Sequence, residues 1–443
     1  MWRKDLKIIK DINLSLDYIN SLRENTYSNI KTSGNDYFKK QYSVEEYVKK
    51  IIELTKSKGD DFLFELSSKV DGKKFDNLQI SNKELKKSID KISKEERILI
   101  ENTIDRIEAF QKKTLIKNWF DEKSGYGEYV KPVDSVGCYI PGGTAPLIST
   151  ILMTVIPAKV AGVKNISISS PTIGSSLPNN MLLAAAYLCG VENFYTYGGP
   201  QAIASLAIGT ENVSKVDMIC GPGNIFVMTA KKLVYGEVGL DGIFGPTETL
   251  IIADNSSNID YVVGDLMAQA EHDVLALPMM ITDDLDFANK AISFYKKKLE
   301  KMERKNIIEK SMDRGFISVL KDEKEIIELA NQLASEHLSI ASEKKVHLAD
   351  KINSAGSIFL GEISSEVLAD YVAGPSHVMP TNGSARYSSS LSSRTFQKTI
   401  PVLAIDKNRF KEICSDAEKL AKLESLQAHS EAISVRKKNY FME

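Results

Sequence analysis

The sequence predicts an α/β protein with two βα modules, mostly parallel sheets, a helical N-terminal region and an extended helical C-terminal tail. Short apolar runs alternate with helical patterns from about residue 133, and a second series of the same kind begins near residue 248. Such alternation is typical of parallel strands joined by helices. The segments before and after these two modules consist mainly of charged helical runs.

The N-terminal region, up to about residue 130, is predicted to be mostly helical. Three capping boxes mark helix starts, because Ser43, Ser81 and Ser93 each precede a glutamate by three positions. The long charged run EERILIENTIDRIEAFQKK follows the third box.

The first module supplies the strand candidates VDSVGCYI, NISIS, NFYTY and VDMIC. Its helix candidates are PLISTILMTVIPAKVAG, NNMLLAAAYLCG and AIASLAI. In the second module ETLIIAD, LPMMITD, GFISVL and SIFLGE are predicted as strands. The segments YVVGDLMAQAEH, LDFANKAISFYKKKLEKM and KEIIELANQLASEHL are predicted as helices. From about residue 390 the tail is again predicted to be helical, entered through a Ser-rich linker, RYSSSLSSRTF.

The composition excludes several classes of protein. A chain of 443 residues needs more than one core, and 43% apolar residues with a net charge of -2 are typical of a globular protein without affinity for nucleic acid. The longest apolar run is broken by Pro146, Pro157 and Lys159, which favours a buried helix over a membrane span. The N-terminal stretch lacks the apolar core of a signal peptide. Four widely spaced cysteines predict a reducing cytoplasm and no Cys-based zinc site.

Three glycine-containing turns follow predicted strands of the first module: YIPGGT (139–144), YGGPQ (197–201) and CGPGN (220–224). Ligands of open α/β sheets bind at the carboxyl ends of the strands, and glycine lets the backbone approach them closely. The modules are therefore Rossmann-like, although none of the turns matches GxGxxG. Each turn taken alone is more often an ordinary strand-to-helix connection, and the occurrence of three in one module weakens that alternative. A bound dinucleotide would be held without the usual fingerprint.

Histidine is rare, with five residues in the chain, and most of these lie beside acids or amides. Gln269 and His272 are three positions apart, so a helix would place them on one face, where both could bind a metal; a solvated helix end is the alternative. Glu336 and His337 are adjacent near the predicted end of a helix, which favours two separate roles over one shared role. Here the alternative is an ordinary surface pair.

Two further clusters lie downstream. Asp370 ends a predicted short helix and is followed by Gly374-Pro375 and His377, and the tail carries Glu424 and His429. His347 has no such neighbours and is given no functional role. A mixed set of nitrogen and oxygen donors with open positions would suit a catalytic or substrate-holding zinc rather than a closed structural one.

The motifs together resemble those of the histidinol dehydrogenase family. The segments that carry the resemblance, in order, are GCYIPGGTAPLISTILM, GPGNIFV, GPTETLIIAD, QAEHD, SEHL, DYVAGPSHVMPT and LQAH. They cover about residues 30 to 435 at compatible spacing and are highly specific as a set. The resemblance implies oxidation of L-histidinol through the aldehyde to L-histidine, the last two steps of histidine biosynthesis, with reduction of two NAD and with one bound zinc per subunit.

The resemblance also assigns roles to residues. It implies zinc ligands at Gln269, His272, Asp370 and His429, which would hold the substrate, and a catalytic pair of Glu336 and His337. Thr247 and Glu424 become substrate contacts, together with His337 and the metal ligands. The NAD positions of the family correspond to Tyr139, Gln201 and Asn224.

A homodimer whose tails are exchanged between subunits follows from the same resemblance. It implies an N-terminal arm over 1–30, a first α/β domain with the zinc and catalytic residues over 31–132 and 246–390, and an NAD-binding domain over 133–245. The tail, 391–443, would complete the active site of the partner subunit.

Chemistry assigns separate tasks to the catalytic pair. Oxidation of an alcohol requires removal of the hydroxyl proton as the hydride leaves, and a neutral imidazole such as His337 suits that role. The aldehyde must then gain water, which Glu336 is expected to activate. NAD carries the hydride.

One position departs from the family pattern, since Thr247 stands where serine is usual. The hydroxyl is retained, and we expect binding to be kept. Related dehydrogenases of other small alcohols, such as sulfopropanediol dehydrogenases, share most of this framework and are the alternative. Glu424 and His429 favour the histidinol-specific tail. A third interpretation is a ligand-binding protein without catalysis, against which the presence of both Glu336 and His337 argues.

Overall fold

The structure is a computed structural model that describes residues 6–28, 38, 41–71, 77–142, 146–172 and 177–441. Among the helices within these ranges, none has both the length and the apolar character needed to cross a membrane. By its internal contacts the chain divides into two units. The larger unit comprises residues 1–114 and 133–396, and the smaller unit comprises 115–132 and 397–443.

The helices of the described residues, in chain order, are α1 (Ile12–Ser28), α2 (Val44–Asp71), α3 (Asn82–Ser88), α4 (Lys94–Lys113), α5 (Ile148–Ala161), α6 (Asn180–Leu188), α7 (Gly199–Ile208), α8 (Ile225–Val234), α9 (Ile259–Ala270), α10 (Leu285–Leu299), α11 (Lys305–Met312), α12 (Glu323–Leu333), α13 (Lys345–Ala349), α14 (Glu366–Tyr371), α15 (Lys407–Leu423) and α16 (Gln427–Phe441). The three predicted capping boxes are confirmed: the backbone N–H of each glutamate donates to the serine hydroxyl, and the glutamate carboxylate accepts from the N–H of the serine.

The strands of the described residues are β1 (Lys7–Ile9), β2 (Gln79–Ile80), β3 (Trp119–Asp121), β4 (Tyr126–Pro132), β5 (Ser135–Tyr139), β6 (Asn165–Ser169), β7 (Asn193–Tyr195), β8 (Met218–Cys220), β9 (Gly239–Leu240), β10 (Glu248–Ile252), β11 (Leu277–Thr282), β12 (Phe316–Val319), β13 (His337–Ile340), β14 (Ser357–Leu360) and β15 (Gln397–Leu403). All eight predicted strands are present, with ends within a few residues of the prediction.

The first sheet of the larger unit is fully parallel and has the order β1-β12-β11-β10-β13-β14. Helices α9, α10 and α11 pack on one face of it, and α1 and α12 pack on the other. Because both faces are covered, its central strands are buried at every position and mostly apolar. The edge strand β1, from the beginning of the chain, pairs with β12, so that Lys7 lies opposite Phe316.

The second sheet has the order β2-β7-β6-β5-β8-β9, and all its pairs are parallel except β2 with β7. Helices α3, α4, α5 and α6 cover one face, and α2, α7 and α8 cover the other. The predicted α/β class with mostly parallel sheets is confirmed.

Helix packing does not follow the sequence-based boundaries in one respect. Helices α2, α3 and α4, from the segment 31–132 that was grouped with 246–390, lie on the second sheet. Strand β1 and helix α1, from the predicted arm 1–30, lie against the first. The division of the chain into a domain with the zinc and catalytic residues and an NAD-binding domain stays a prediction.

The smaller unit contains an antiparallel sheet that the sequence did not predict, in the order β15-β4-β3. Residues 397–403 pair with 126–132, so that Gln397 lies opposite Pro132 and Leu403 opposite Tyr126. The expectation that the tail is helical throughout from about residue 390 is therefore wrong at its start and correct for α15 and α16. The partner strands lie far apart in sequence, and no hairpin turn joins them.

The Ser-rich segment 386–396 is not a linker. Leu391 and Phe396 are buried in the core below α5. The Ser393 hydroxyl donates to the carbonyl of Pro157 at 2.9 Å, and its backbone N–H donates to Gln111 Oε1 at the same distance. Ser390 likewise donates its hydroxyl to the carbonyl of Gly356 at 2.7 Å, so these polar groups are accommodated by hydrogen bonds.

Candidate active site

A cavity of about 420 Å³ lies in the larger unit, between the ends of its two six-stranded sheets. Residues that follow β5 and β8 of the second sheet, among them Pro141 and Gly223, line one side of it. Thr247, which precedes β10, and His337, the first residue of β13, line the other side. The carboxyl edge of one sheet therefore faces the amino edge of the other.

Seven of the residues singled out from the sequence line this cavity. They are Thr247, Gln269, His272, Glu336, His337, Asp370 and Asn224. Thr150, Tyr371 and His377 line it as well. The segments that supply these side chains are spread over more than 200 positions of the sequence, and the fold brings them to one place.

Gln269 and His272 meet the cavity from the end of α9, although not from one helical face as predicted. The helix ends at Ala270, and His272 lies in the turn that follows, where its N–H donates to the carbonyl of Gln269 at 3.2 Å. Gln269 is 1% exposed, whereas His272 is exposed. The two side chains therefore reach the same cavity from a helix terminus and its turn.

Glu336 and His337 do not end a helix, which corrects the prediction for LASEHLSI. Helix α12 ends at Leu333, and Ala334 takes a left-handed conformation with φ of 44°. His337 then begins strand β13. The helix signal was misleading because a non-glycine residue ends the helix here, where glycine is the usual marker.

Asp370 connects the two groups of site residues. Its Oδ1 lies 3.1 Å from His337 Nε2, and its Oδ2 accepts a hydrogen bond from Gln269 Nε2 at 3.3 Å. His337 Nδ1 lies 3.7 Å from Glu336 Oε2, and that oxygen accepts the backbone N–H of Glu248 at 3.0 Å. The catalytic candidates and two of the predicted metal ligands thus form one buried network.

The electrostatics of this network are dominated by acidic groups. Burial raises the pKa of Glu336 and of Glu366 to about 8, against the lowering effect of the nearby His337 in each case. Burial lowers the pKa of His337, but its hydrogen bond to Asp370 and the nearby carboxylates outweigh this and bring it to about 10. Three carboxyl groups thus surround one imidazole, and a divalent cation would relieve their mutual repulsion.

The residues present fit a metal ion. Gln269 Oε1 is buried without a hydrogen-bond partner, although the other amide atom of this side chain is bonded to Asp370. A carboxamide oxygen, an imidazole and a carboxylate in one cavity form a mixed donor set suited to zinc. Among the described residues no three His, Cys, Asp or Glu side chains form a metal-binding group. The predicted set differs from such a group, because it includes Gln269 and because His429 lies in the smaller unit.

Comparison with known proteins identifies the family. A family model described as histidinol dehydrogenase matches residues 36–437. The chain belongs to the histidinol dehydrogenase family. The resemblance inferred from its motifs is thereby confirmed, and the family is one of oxidoreductases.

Histidinol dehydrogenases from distant bacteria are similar over most of their length. That of Aquifex aeolicus is 42% identical over 398 residues, which cover 89% of this chain and 92% of that protein. That of Streptococcus mutans is 42% identical over 402 residues, or 90% and 94% of the two chains. The solved structure of histidinol dehydrogenase from Elizabethkingia anophelis matches with a TM-score of 0.90 at 33% identity and covers 98% of both chains.

Two of the three glycine-containing turns with predicted NAD contacts supply residues that line the cavity, Pro141 from the first turn and Pro222, Gly223 and Asn224 from the third. Asn224 lines it and caps α8, accepting the N–H of Phe226 and of Val227. Tyr139 and Gln201 are buried and are not among its lining residues in the described part of the chain. Gly143 and Thr144 of the first glycine turn lie outside the described residues.

The two tail residues of the histidinol dehydrogenase pattern are located in the smaller unit. Glu424 follows the end of α15, and His429 lies in the first turn of α16. Both side chains are exposed. Their predicted participation in the site stays a prediction.

Two polar residues beside the site were not predicted. His377 was noticed in its motif but given no role; its Nδ1 lies 2.8 Å from the carbonyl of Asp370 and its Nε2 lies 3.3 Å from Thr150 Oγ1. Glu366 is fully buried and accepts the hydroxyl of Thr249 at 2.8 Å. The position of His377 shortly after Gly374-Pro375 could have pointed to a role at the site. Glu366 could not be found from the sequence, because its surroundings are those of an ordinary helix start.

Proposed function

We propose that the protein oxidises L-histidinol through L-histidinal to L-histidine, the last two steps of histidine biosynthesis, with reduction of two NAD. One observation carries the proposal: in a chain of this family, Glu336 and His337 line a cavity together with Gln269, His272 and Asp370. A proton-transfer pair lies next to a mixed set of metal donors. A binding protein without catalysis would need the cavity but not this pair.

Gln269, His272 and Asp370 are the proposed zinc ligands of one subunit, with His429 as the fourth. Zinc would hold the amine and imidazole of the substrate and keep the reactive aldehyde bound between the two steps. NAD would accept the hydride in each step. Tyr139, Gln201 and Asn224 are the proposed contacts of NAD, and Thr247 and Glu424 those of the substrate.

His337 is the proposed base for both steps. In the neutral tautomer of His337 whose Nε2–H donates to Asp370, the free lone pair of the ring is on Nδ1. Nδ1 is buried without a hydrogen-bond partner. That nitrogen can accept the proton of the substrate hydroxyl as the hydride leaves. A cation at Asp370 would lower the pKa of His337 from about 10 towards neutrality, because it neutralises the carboxylate that stabilises the imidazolium.

Glu336 is the proposed activator of water. The aldehyde gains water to form a geminal diol, and loss of a hydride and a proton from the diol gives the carboxylic acid. The N–H of Glu248 fixes one oxygen of Glu336, and burial raises the pKa of this carboxyl to about 8, which is close to the value that suits a base near neutral pH.

The proposed assembly is a homodimer in which the tail of one chain completes the site of the other, and the proposed location is the cytoplasm. The exposure of Glu424 and His429 in the smaller unit supports a role towards a partner chain. All four cysteines are free and buried, as is usual in a reducing compartment.

The decisive experiment is to incubate the purified protein with L-histidinol and NAD and to count NADH per histidinol consumed. Two NADH and histidine as product are expected. One NADH with free aldehyde would contradict the four-electron oxidation. The alternative, a related dehydrogenase of another small alcohol, is separated by offering sulfopropanediol in competition, since an alcohol without an imidazole should be oxidised poorly if histidinol is the substrate.

A further inference from the structure

A buried ion pair lies beside the second sheet, and neither of its members lines the cavity. Lys231 Nζ, from α8, is 2.6 Å from Asp241 Oδ1, just after β9, and the side chains are 2% and 0% exposed. Burial removes both charges from water, and such a pair is often no more stabilising than two apolar side chains of the same volume. Its remaining hydrogen bonds indicate what the pair does.

Both members of the pair bind the backbone of a single residue, Gly221. Lys231 Nζ donates to the carbonyl of Gly221 at 3.0 Å, and Asp241 Oδ2 accepts its N–H at 2.8 Å. Gly221 follows β8 and begins the turn whose next residues, Pro222, Gly223 and Asn224, line the cavity. The start of this turn is therefore held from both sides by opposite charges.

Gly221 in turn contacts the end of the neighbouring strand β5. Its φ is +109°, and a Cβ atom there would lie 2.1 Å from the carbonyl oxygen of Tyr139. The hydroxyl of Tyr139 accepts the N–H of Gly199 at 3.1 Å. At Gly199, φ is +72° and an added Cβ would come within 2.8 Å of Gln201 Oε1. Close packing thus runs from the ion pair through Gly221 and Tyr139 to the turn of Gln201.

The three proposed NAD contacts are consequently on turns that touch one another. Tyr139 is the last residue of β5, Gln201 lies in the first turn of α7, and Asn224 caps α8. The pair formed by Lys231 and Asp241 contacts this set at Gly221. Phe244, which lines the cavity, also lies near the pair, with its ring centroid 5.2 Å from Lys231 Nζ.

We propose that Lys231 and Asp241 are positioning residues for the dinucleotide: they fix Gly221 and, through it, the turns that carry Tyr139, Gln201 and Asn224. The proposal rests on the proposed function, because it takes NAD as the ligand of these turns. It accounts for dinucleotide binding without a GxGxxG fingerprint. Here a side-chain ion pair fixes the backbone conformation of the turn at Gly221, a role that the glycines of the fingerprint have in other dinucleotide-binding proteins.

The test uses two variants of the full-length, zinc-loaded protein. Lys231→Met keeps the length of the side chain and removes the donor to Gly221. Lys231→Met/Asp241→Asn removes both charges, so that no unpaired charge stays buried. In each, the Kd of NAD measured by calorimetry should rise about tenfold or more, because a charge-assisted hydrogen bond to the turn is lost. The KM for NAD should rise in parallel, while kcat at saturating NAD should change less than roughly threefold.

A matched control is available in the same domain. Lys159 donates to the carbonyl of Cys189 at 3.2 Å, away from the cavity, and Lys159→Met should leave the Kd of NAD unchanged. The affinity for the product histidine should also be unchanged in all variants. A general loss of structure would instead weaken both ligands together, and that result would overturn the positioning role.

Failure of this proposal can be told from failure of the proposed function. If the wild type neither binds NAD nor oxidises histidinol, the function is wrong. If the wild type binds NAD and folded Lys231→Met binds it equally well, the function stands and the positioning role is wrong. Should the variants not fold, hydrogen exchange of the wild type decides: the amide of Gly221 should be strongly protected before NAD is added, and rapid exchange would overturn the proposal.

Discussion

His337 Nε2 and Asp370 Oδ1 lie 3.1 Å apart, and through its other oxygen Asp370 accepts a hydrogen bond from Gln269. A single carboxylate therefore touches both the proposed base and a proposed zinc ligand. Substitution of Asp370 would impair both functions at once. The informative variants are those at the ends of this network, where metal binding and proton transfer can be separated.

Zinc binding should depend unequally on its proposed ligands. His272→Ala should lose most of the bound zinc, and Gln269→Ala should lose less, because a neutral carboxamide oxygen is the weaker donor. Zinc content by elemental analysis after dialysis provides the measurement. A strong chelator should abolish turnover of the wild type and added zinc should restore it; active protein without zinc would contradict the assignment.

Substitutions of Glu336 and His337 should affect the two half-reactions differently. Glu336→Gln keeps the shape of the side chain and loses the carboxylate, so it should slow oxidation of histidinal more than oxidation of histidinol. His337→Asn should slow both, by roughly 10²-fold or more, as is usual for loss of a general base. Stopped-flow measurement of NADH with each substrate gives the comparison. Equal losses in the two half-reactions for Glu336→Gln would exclude its role in activating water.

The metal-free protein should lose stability as the pH rises from about 5 to 8. In the folded state the pKa of Glu366 is raised from 4.5 to about 8 by burial, so its contribution is fully present below about pH 4.5 and is lost as the pH approaches 8. Each such proton changes the unfolding free energy by about 1.4 kcal/mol per pH unit. Urea unfolding of chelated protein at several pH values measures this slope.

Glu366→Gln should reduce that slope, because the amide resembles the protonated acid at every pH. At pH 5 the free energy of unfolding of the variant should equal that of the wild type. At pH 8 it should be higher by about a few kcal/mol, because the wild type then carries a buried carboxylate. Glu343→Gln, at an exposed position, is the control and should leave the slope unchanged. Identical slopes in Glu366→Gln and wild type would refute the prediction.

Mixed dimers should recover activity if the tail completes the site of the partner subunit. His272→Ala and His429→Ala are each expected to be inactive. In a mixed dimer one site combines both substitutions, and the other combines an intact body with an intact tail. Refolding the two variants together should therefore restore up to about a quarter of wild-type activity under random pairing.

The same experiment would contradict the exchange of tails if mixing the two variants restored no activity. If each tail closed the site of its own chain, every site would carry one substitution and no activity would return. Refolding each variant alone, at the same total concentration, controls for reversion and for residual activity.

Much of the fold could be predicted because local patterns and packing agree. The strand NISIS was predicted with the observed bounds, since two β-branched isoleucines alternate with polar residues and turns flank the segment. The antiparallel sheet of β4 and β15 could not, because its pairing joins segments roughly 270 residues apart and its strands are largely exposed. The helix end at Ala334 was missed because an alanine there adopts the left-handed conformation that glycine usually marks.

The candidate site was predictable where chemistry shows in the side chain itself. Histidines beside carboxylates, such as His337 next to Glu336, indicate proton transfer or metal binding even when the fold around them is not known. Lys231, Asp241 and Glu366 gave no such signal, because charged residues of these types are common in the helices and connecting segments of any protein of this composition. Their importance arises from burial and from partners distant in sequence, such as Gly221, and only the folded backbone brings these together.

Strand β1 has a consequence for the synthesis of the protein. It leaves the ribosome well before its hydrogen-bonding partner, β12, which follows roughly 300 residues later. At about 5–20 residues per second, the strand and helix α1 wait on the order of 15–60 s for the surface they will cover. During that time the apolar side of α1, including Ile19, is open to chaperones and to other nascent chains. Strand β1 and helix α1 thus become fixed only after β12 has been synthesised.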